Sequence, residues 1–195
     1  TKKFNACRAG NAYFFAFDLT TAVKTDLDKI IDELRSRDHG DHVRWVRKEN
    51  LHVTLYFIGN VSPDNVPGLL YAVSQELVRG RLIATQLTGL QLCPSGKRPR
   101  VIAMGLGNNE SLARIAEAVK RGVTVVGIPS DKRSFKAHLT LGRTRGKNFP
   151  SISDLPFEGK DKIKVSEVLL YQSGLLPDGP LYSEIGRIKL SAGEG

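Results

Sequence analysis

The tetrapeptide His-x-Thr-Leu occurs twice, as His52-Val53-Thr54-Leu55 and as His138-Leu139-Thr140-Leu141, and this duplication constrains the fold more than any other feature. The chain holds 10 Thr, 23 Leu and four His in 195 residues. A given His is followed by x-Thr-Leu by chance about 0.6% of the time, and two of four doing so has odds of roughly 1 in 5,000. Each copy lies in a short apolar run, LHVTLYFI at 51–58 and FKAHLTL at 135–141, that reads as a strand. No Gly/Ser or charged linker separates the halves, so two repeated strand-bearing halves are expected to pack together.

The remaining pattern fills in the repeat. AYFFAFDL at 12–19 reads as a buried strand, and Thr20 or Thr21 then caps a helix with Val23, Leu27, Ile30, Ile31 and Leu34 at helical spacing. VRWVR at 43–47 alternates as a half-exposed strand. Ser62 and Pro63 read as N-cap and first position of a helix reaching about Arg79. Strands are expected at 81–92 and 100–106, then a helix opened by Asn108 or Asn109 through Ala118 and Arg121, and finally strands at 163–171 and 181–190 joined by a turn in SGLLPDGP. That order implies an α+β fold with antiparallel sheets.

Composition narrows the class. With 41% hydrophobic and 25% charged residues the chain is globular. No run approaches the ~20 apolar residues of a membrane helix, so no membrane partner is expected. Cys7 and Cys93 are too few for a disulfide scaffold and lack metal spacing, which fits a reducing cytoplasm. The formal charge of +9 suggests an anionic partner.

In a strand, residues i and i+2 share a face, so each motif sets an imidazole beside a hydroxyl while Val53 or Leu139 turns to the apolar side. One copy alone reads as a satisfied core histidine; two copies read as paired proton carriers that could bracket a phosphorus atom, one taking and one giving a proton, with no metal. Lys132, Arg133, Lys136, Arg143, Arg145 and Lys147 gather around the second copy, and Arg44, Arg47 and Lys48 precede the first. Arg143 falls on the wrong face of a regular strand and needs a turn at Gly142 to join the site. Phe57 joins the His52 face only if a β-bulge breaks the alternation, and is otherwise core; Tyr56 has the matching parity and could offer its ring to a base. His39 and His42 lack a third ligand and read as a surface loop, and Gly105-Leu106-Gly107 reads as a turn.

YFFAFDL, ENLHVTLYFIG, KAHLTLGR and LLYQSGLLPDGPLYSEIGRIKL together resemble the two-histidine phosphoesterase superfamily, specifically its LigT-like branch of 2′-5′ RNA ligases and RNA 2′,3′-cyclic phosphodiesterases. The resemblance implies two pseudo-symmetric lobes around a central cleft, in one bilobal domain over residues 1–195; the roughly ten residues before Tyr13, more than the branch usually has, depart from it, and residues 1–11 are expected to form a flexible arm. It implies His52 as proton donor, His138 as proton acceptor, Thr54 and Thr140 on the nonbridging oxygens, and Arg143 on phosphate. The implied enzyme is a monomer needing neither metal nor cofactor, whose partner is RNA with a 2′,3′-cyclic phosphate end that it opens to a 2′-phosphate, with reversible 2′-5′ ligation in tRNA halves as a further activity. Two other readings stay open: a small-nucleotide cyclic phosphodiesterase acting, for example, on ADP-ribose 1″,2″-cyclic phosphate, and an RNA-end binding module without turnover.

Overall fold

The computed structural model describes residues 12–39, 41–94, 99–129, 134–146, 152, 162–176 and 179–191. Residues 1–11, expected to form an arm, and Lys132, Arg133 and Lys147 lie outside them. Among the described residues are nine strands and three helices: β1 (Ala12–Asp18), α1 (Thr21–Ser36), β2 (Val43–Trp45), β3 (His52–Asn60), α2 (Val66–Leu77), β4 (Ile83–Cys93), β5 (Val101–Leu106), α3 (Asn109–Val125), β6 (His138–Thr144), β7 (Lys162–Val165), β8 (Glu167–Leu176) and β9 (Gly179–Lys189). None of the helices is long and apolar enough to cross a membrane.

The strands form two antiparallel sheets, one ordered β3-β1-β8-β9 and the other β2-β6-β5-β4-β7, so the α+β reading with antiparallel sheets holds. The halves of the sequence are not the sheets, however. β2 leaves the first half to pair with β6, and β8 returns to β1 with β9 on its far side. Buried side chains of both sheets and all three helices form one connected cluster, with Phe15, Phe17, Leu27, Ile31, Ile102, Met104 and Leu139 at 0–1% exposure.

Each helix follows from local chemistry. Thr20 caps α1 by accepting from the Val23 N–H, and Val23, Leu27, Ile31 and Leu34 are its buried stripe. Ser62 and Pro63 open a 3-10 turn over Pro63–Asn65, and the α-helix starts only at Val66. α3 runs past Arg121 to Val125, because Val123 is wholly buried in the core. The tail holds three strands: Ser166 interrupts it, and SGLL belongs to β8.

At Gly122, a Cβ added to α3 meets the Val73 Cα of α2 at 2.6 Å. The two helices are therefore in backbone contact there, and α3 in turn packs on β3. That contact fixes the level of the strand that carries the first motif.

Candidate active site

Among the described residues β3 is an edge strand of its sheet, and β6 is covered on its outer side only by the three residues of β2, which pair with Gly142, Arg143 and Thr144. β3 and β6 come within 8 Å of each other between Cα atoms. The strands carrying the two motifs thus meet across the sheets, with His52, Thr54, His138 and Thr140 all half-buried and Val53 and Leu139 wholly buried behind them.

Both imidazoles are held by the same device. His52 Nδ1 lies 2.7 Å from the carbonyl oxygen of Asn50, and His138 Nδ1 lies 2.8 Å from that of Lys136. A carbonyl can only accept, so each Nδ1 carries a hydrogen and each Nε2 is the working nitrogen. Asn50 is itself fixed: its side-chain amide donates to the Pro180 carbonyl at 2.9 Å. Thr54 Oγ1 is 3.0 Å from His52 Nε2, where the hydroxyl donates to the neutral ring and accepts from the protonated one.

His52 sits among aromatic rings. Its centroid is 4.9 Å from Phe14, 5.1 Å from Tyr182 in an edge-on arrangement, and 6.2 Å from Tyr171. Burial in this cage pushes the His52 pKa below its usual 6.5, opposed by the Asn50 carbonyl and Asp18 and reinforced by Lys24 and Arg143. Asp18 stands opposite His52 in the β1–β3 ladder and is ion-paired with Lys24 at 2.7 Å. Burial first, then Asp18 and Glu184, pushes Tyr171 up to about 12, and burial also raises Tyr182, so both phenols stay neutral donors.

Two bulges decide which other residues join the site. In β3 the pairing steps from Thr54 opposite Ala16 to Tyr56 opposite Phe15, leaving Leu55 as an extra residue. The alternation flips there: Phe57 comes opposite Phe14 on the His52 face, 53% exposed, whereas Tyr56 turns to the other face and packs partly against the core. The parity that put Tyr56 beside His52 is corrected by this bulge. Phe57 and Thr54 line a cavity of about 150 Å³ together with Lys120 and Phe135, whose wall Tyr56 also reaches.

In β6 the pairing steps from Thr140 opposite Ala103 to Gly142 opposite Ile102, so Leu141 is the extra residue. Arg143 is thereby carried onto the face of His138 and Thr140, and it is close enough to act on His52. Gly142 serves by its size: a Cβ there would meet Val43 Cγ1 at 2.5 Å and Trp45 Cε3 at 2.9 Å. Gly142→Ala is expected to cost about 1–3 kcal/mol through overpacking, measured by urea unfolding, and to lift β2 from β6.

Of the other basic residues, Arg145 is paired with Asp41 at 2.7 Å and Lys48 donates to the Thr25 hydroxyl at 2.8 Å. His42 has its backbone N–H and ring on the Asp38 carboxylate, among the described residues no group of three metal-ligating side chains includes it, and His39 stands exposed. Gly105 lies within β5, opposite His138, and is not part of a turn. Phe14, Tyr171 and Tyr182 escaped the sequence reading. The aromatic alternation of AYFFAFD carried a hint of Phe14, but nothing local shows that β8 lies beside β1, with β9 next to it.

The fold and site can be set against known proteins. A family model described as LigT like Phosphoesterase matches residues 17–103 and 106–182. The RNA 2′,3′-cyclic phosphodiesterase of Archaeoglobus fulgidus is 31% identical over 88% of this chain and 96% of its own, and that of Aeropyrum pernix is 33% identical over 78% and 89%. Among solved structures, a Thermus thermophilus protein superposes with a TM-score of 0.80 at 24% identity over 94% of this chain and all of its own. E. coli LigT complexed with 3′-AMP superposes at 0.74 with 22% identity, over 93% and 98%. These two structures show the fold.

Proposed function

The chain belongs to the LigT-like phosphoesterase family, and from that premise we propose that it is a metal-independent RNA 2′,3′-cyclic phosphodiesterase producing 2′-phosphate ends. The observation that carries this is the matched pair of histidines, each with Nδ1 tied to the carbonyl two residues earlier and Nε2 free to move a proton, on strands that meet. The names of the relatives support the substrate class.

The reaction then runs as follows. His138 Nε2 takes a proton from water as the water oxygen bonds to phosphorus, the P–O3′ bond breaks, and O3′ receives a proton from His52 Nε2. Thr54, Thr140 and Arg143 hold the nonbridging oxygens, with Arg143 as the charged donor. Phe57 offers a ring for stacking the terminal base. The site is contained in one chain acting as a monomer, and with the 5′-hydroxyl of a second RNA in place of water the same groups would form a 2′-5′ phosphodiester as the P–O3′ bond breaks, the reverse of that step restoring the cyclic phosphate.

The test is to incubate the protein with a cyclic-phosphate-ended oligonucleotide in EDTA and identify the product. Undiminished turnover and a 2′-phosphate are expected. Activity lost in EDTA and restored by added metal, or a 3′-phosphate product, contradicts the proposal. Comparing rates on oligonucleotide and on ADP-ribose 1″,2″-cyclic phosphate separates RNA ends from small nucleotides.

A further inference from the structure

β2 and β6 set Arg44 directly opposite Arg143, with both side chains exposed. Directly opposed residues in an antiparallel pair have Cβ atoms ~4.5–5.5 Å apart, and like charges there are destabilising. Among the described residues neither guanidinium has a hydrogen bond or an ion pair, although Arg145 nearby is matched by Asp41. Two adjacent cations that no described residue matches make a place for a bound anion.

The space beside them fits that anion. A cavity of about 300 Å³ is lined by Arg44, Arg47, Arg143, Arg145, Leu175 and Tyr182 among others, with no carboxylate among its described lining residues. It is at the low end of the ~300–1,000 Å³ of small-ligand pockets, large enough for a nucleotide unit as well as a phosphate. Tyr182 joins it to the catalytic centre, because its ring stands edge-on to His52 at 5.1 Å. Arg143 acts on both His52 and Tyr182, whereas Arg44 acts on Tyr182, one ring further out, and not on His52, and its Nη2 lies over Gly179, 3.2 Å from where a Cβ there would be. The two arginines therefore address neighbouring positions.

We propose that Arg44 binds the phosphodiester preceding the terminal nucleotide, so that this cavity selects RNA strands over mononucleotides. The inference rests on the phosphodiesterase reading for the placement of the reacting phosphate at the histidines. Phosphate contacts of this kind fix register along a strand without reading its bases.

The experiment measures binding of a five-nucleotide RNA ending in 2′-phosphate, and of a nucleoside 2′-phosphate, to wild type, Arg44→Gln and Arg44→Lys. Arg44→Gln is expected to raise the Kd of the RNA about tenfold or more, as for loss of a hydrogen bond to a charged group, and to reduce the preference for RNA over the mononucleotide by a similar factor. The slope of log K against log salt should become shallower by about 0.7, one phosphate's share on a single strand. Arg44→Lys, which keeps the charge, should recover part of the loss. A parallel loss on both ligands places Arg44 at the terminal phosphate, and no loss leaves it a bare surface charge; either result overturns the proposal. Binding needs no turnover, so a wild type that opens no cyclic phosphate yet shows the Arg44-dependent preference fails the phosphodiesterase reading and not this one.

Discussion

Alanine at His52 or at His138 is expected to slow opening of a 2′,3′-cyclic phosphate by about 10²–10⁴-fold, the contribution of one positioned proton-transfer group, with the folded state retained because both rings are only half-buried. The wild-type rate should be bell-shaped in pH, since one ring must be neutral and the other charged. Burial among Phe14, Tyr171 and Tyr182 lowers the His52 pKa below 6.5, so in the free protein the limb on which the protonated donor is lost lies at lower pH than for an ordinary imidazole. Asp18 and an arriving phosphate anion push the other way, and the limb should move toward neutral pH in kcat relative to kcat/KM. A bell by itself does not say which ring gives the proton. The residual activities do: with the donor removed, only the base titrates and the rate rises with pH; with the base removed, it falls. Rising residual activity in His52→Ala and falling activity in His138→Ala are expected; the reverse pair exchanges the roles.

The same shift has a consequence for stability. A histidine whose folded pKa is lowered binds fewer protons folded than unfolded below about pH 6.5, so stability declines as pH falls through that range. His52→Phe, which cannot titrate, should flatten that part of the curve, measured by thermal melting between about pH 5 and 8 at about one-unit steps.

The largest expected effect on folding is at Gly122. Helix propensity alone predicts that Gly→Ala in a helix interior stabilises by about 0.5–1 kcal/mol. Here the added Cβ meets the Val73 backbone, Cα at 2.6 Å and N at 2.9 Å, which cannot rotate away as a side-chain tip could. Val73 is wholly buried, and so are Leu69 and Val119 beside the crossing. Gly122→Ala should therefore destabilise, against its propensity, and Gly122→Val should cost about 2–3 kcal/mol, a fall in Tm of roughly 4–12 °C at this chain size. Because α3 packs on β3, activity below the melting range should fall too. A stabilised Gly122→Ala would show that α2 and α3 can separate at little cost.

What the sequence revealed and what it hid divide along the range of the interactions. The His-x-Thr spacing was legible because strand parity is local: i and i+2 share a face whatever lies across the strand. The roles of Phe57, Tyr56 and Arg143 hung on bulges at Leu55 and Leu141, each defined by a partner strand's register. One inserted residue exchanges faces for everything beyond it. Gly142 was noticed for the turn it permits, yet it matters for the room it leaves under Val43 and Trp45. Arg44 read as belonging to the first motif and stands beside the second, because β2 joins the other sheet. The aromatic cage needed β1, β8 and β9 side by side, a pairing of distant segments that no local pattern specifies.

That return of the tail has a bearing on synthesis. β1 joins Ala12–Ala16 to Leu169–Ser173, so the first sheet closes only after the residues through Ser173 have been translated. Sequence-distant pairing of this sort slows folding and leaves unpaired edges exposed meanwhile. The second sheet can assemble from residues up to β6 and β7 beforehand, but His52 acquires Tyr171 and Tyr182 last. A growing chain on the ribosome therefore carries both motif histidines well before it has the surroundings that set the proton affinity of the first, and catalytic competence arrives with the final strands.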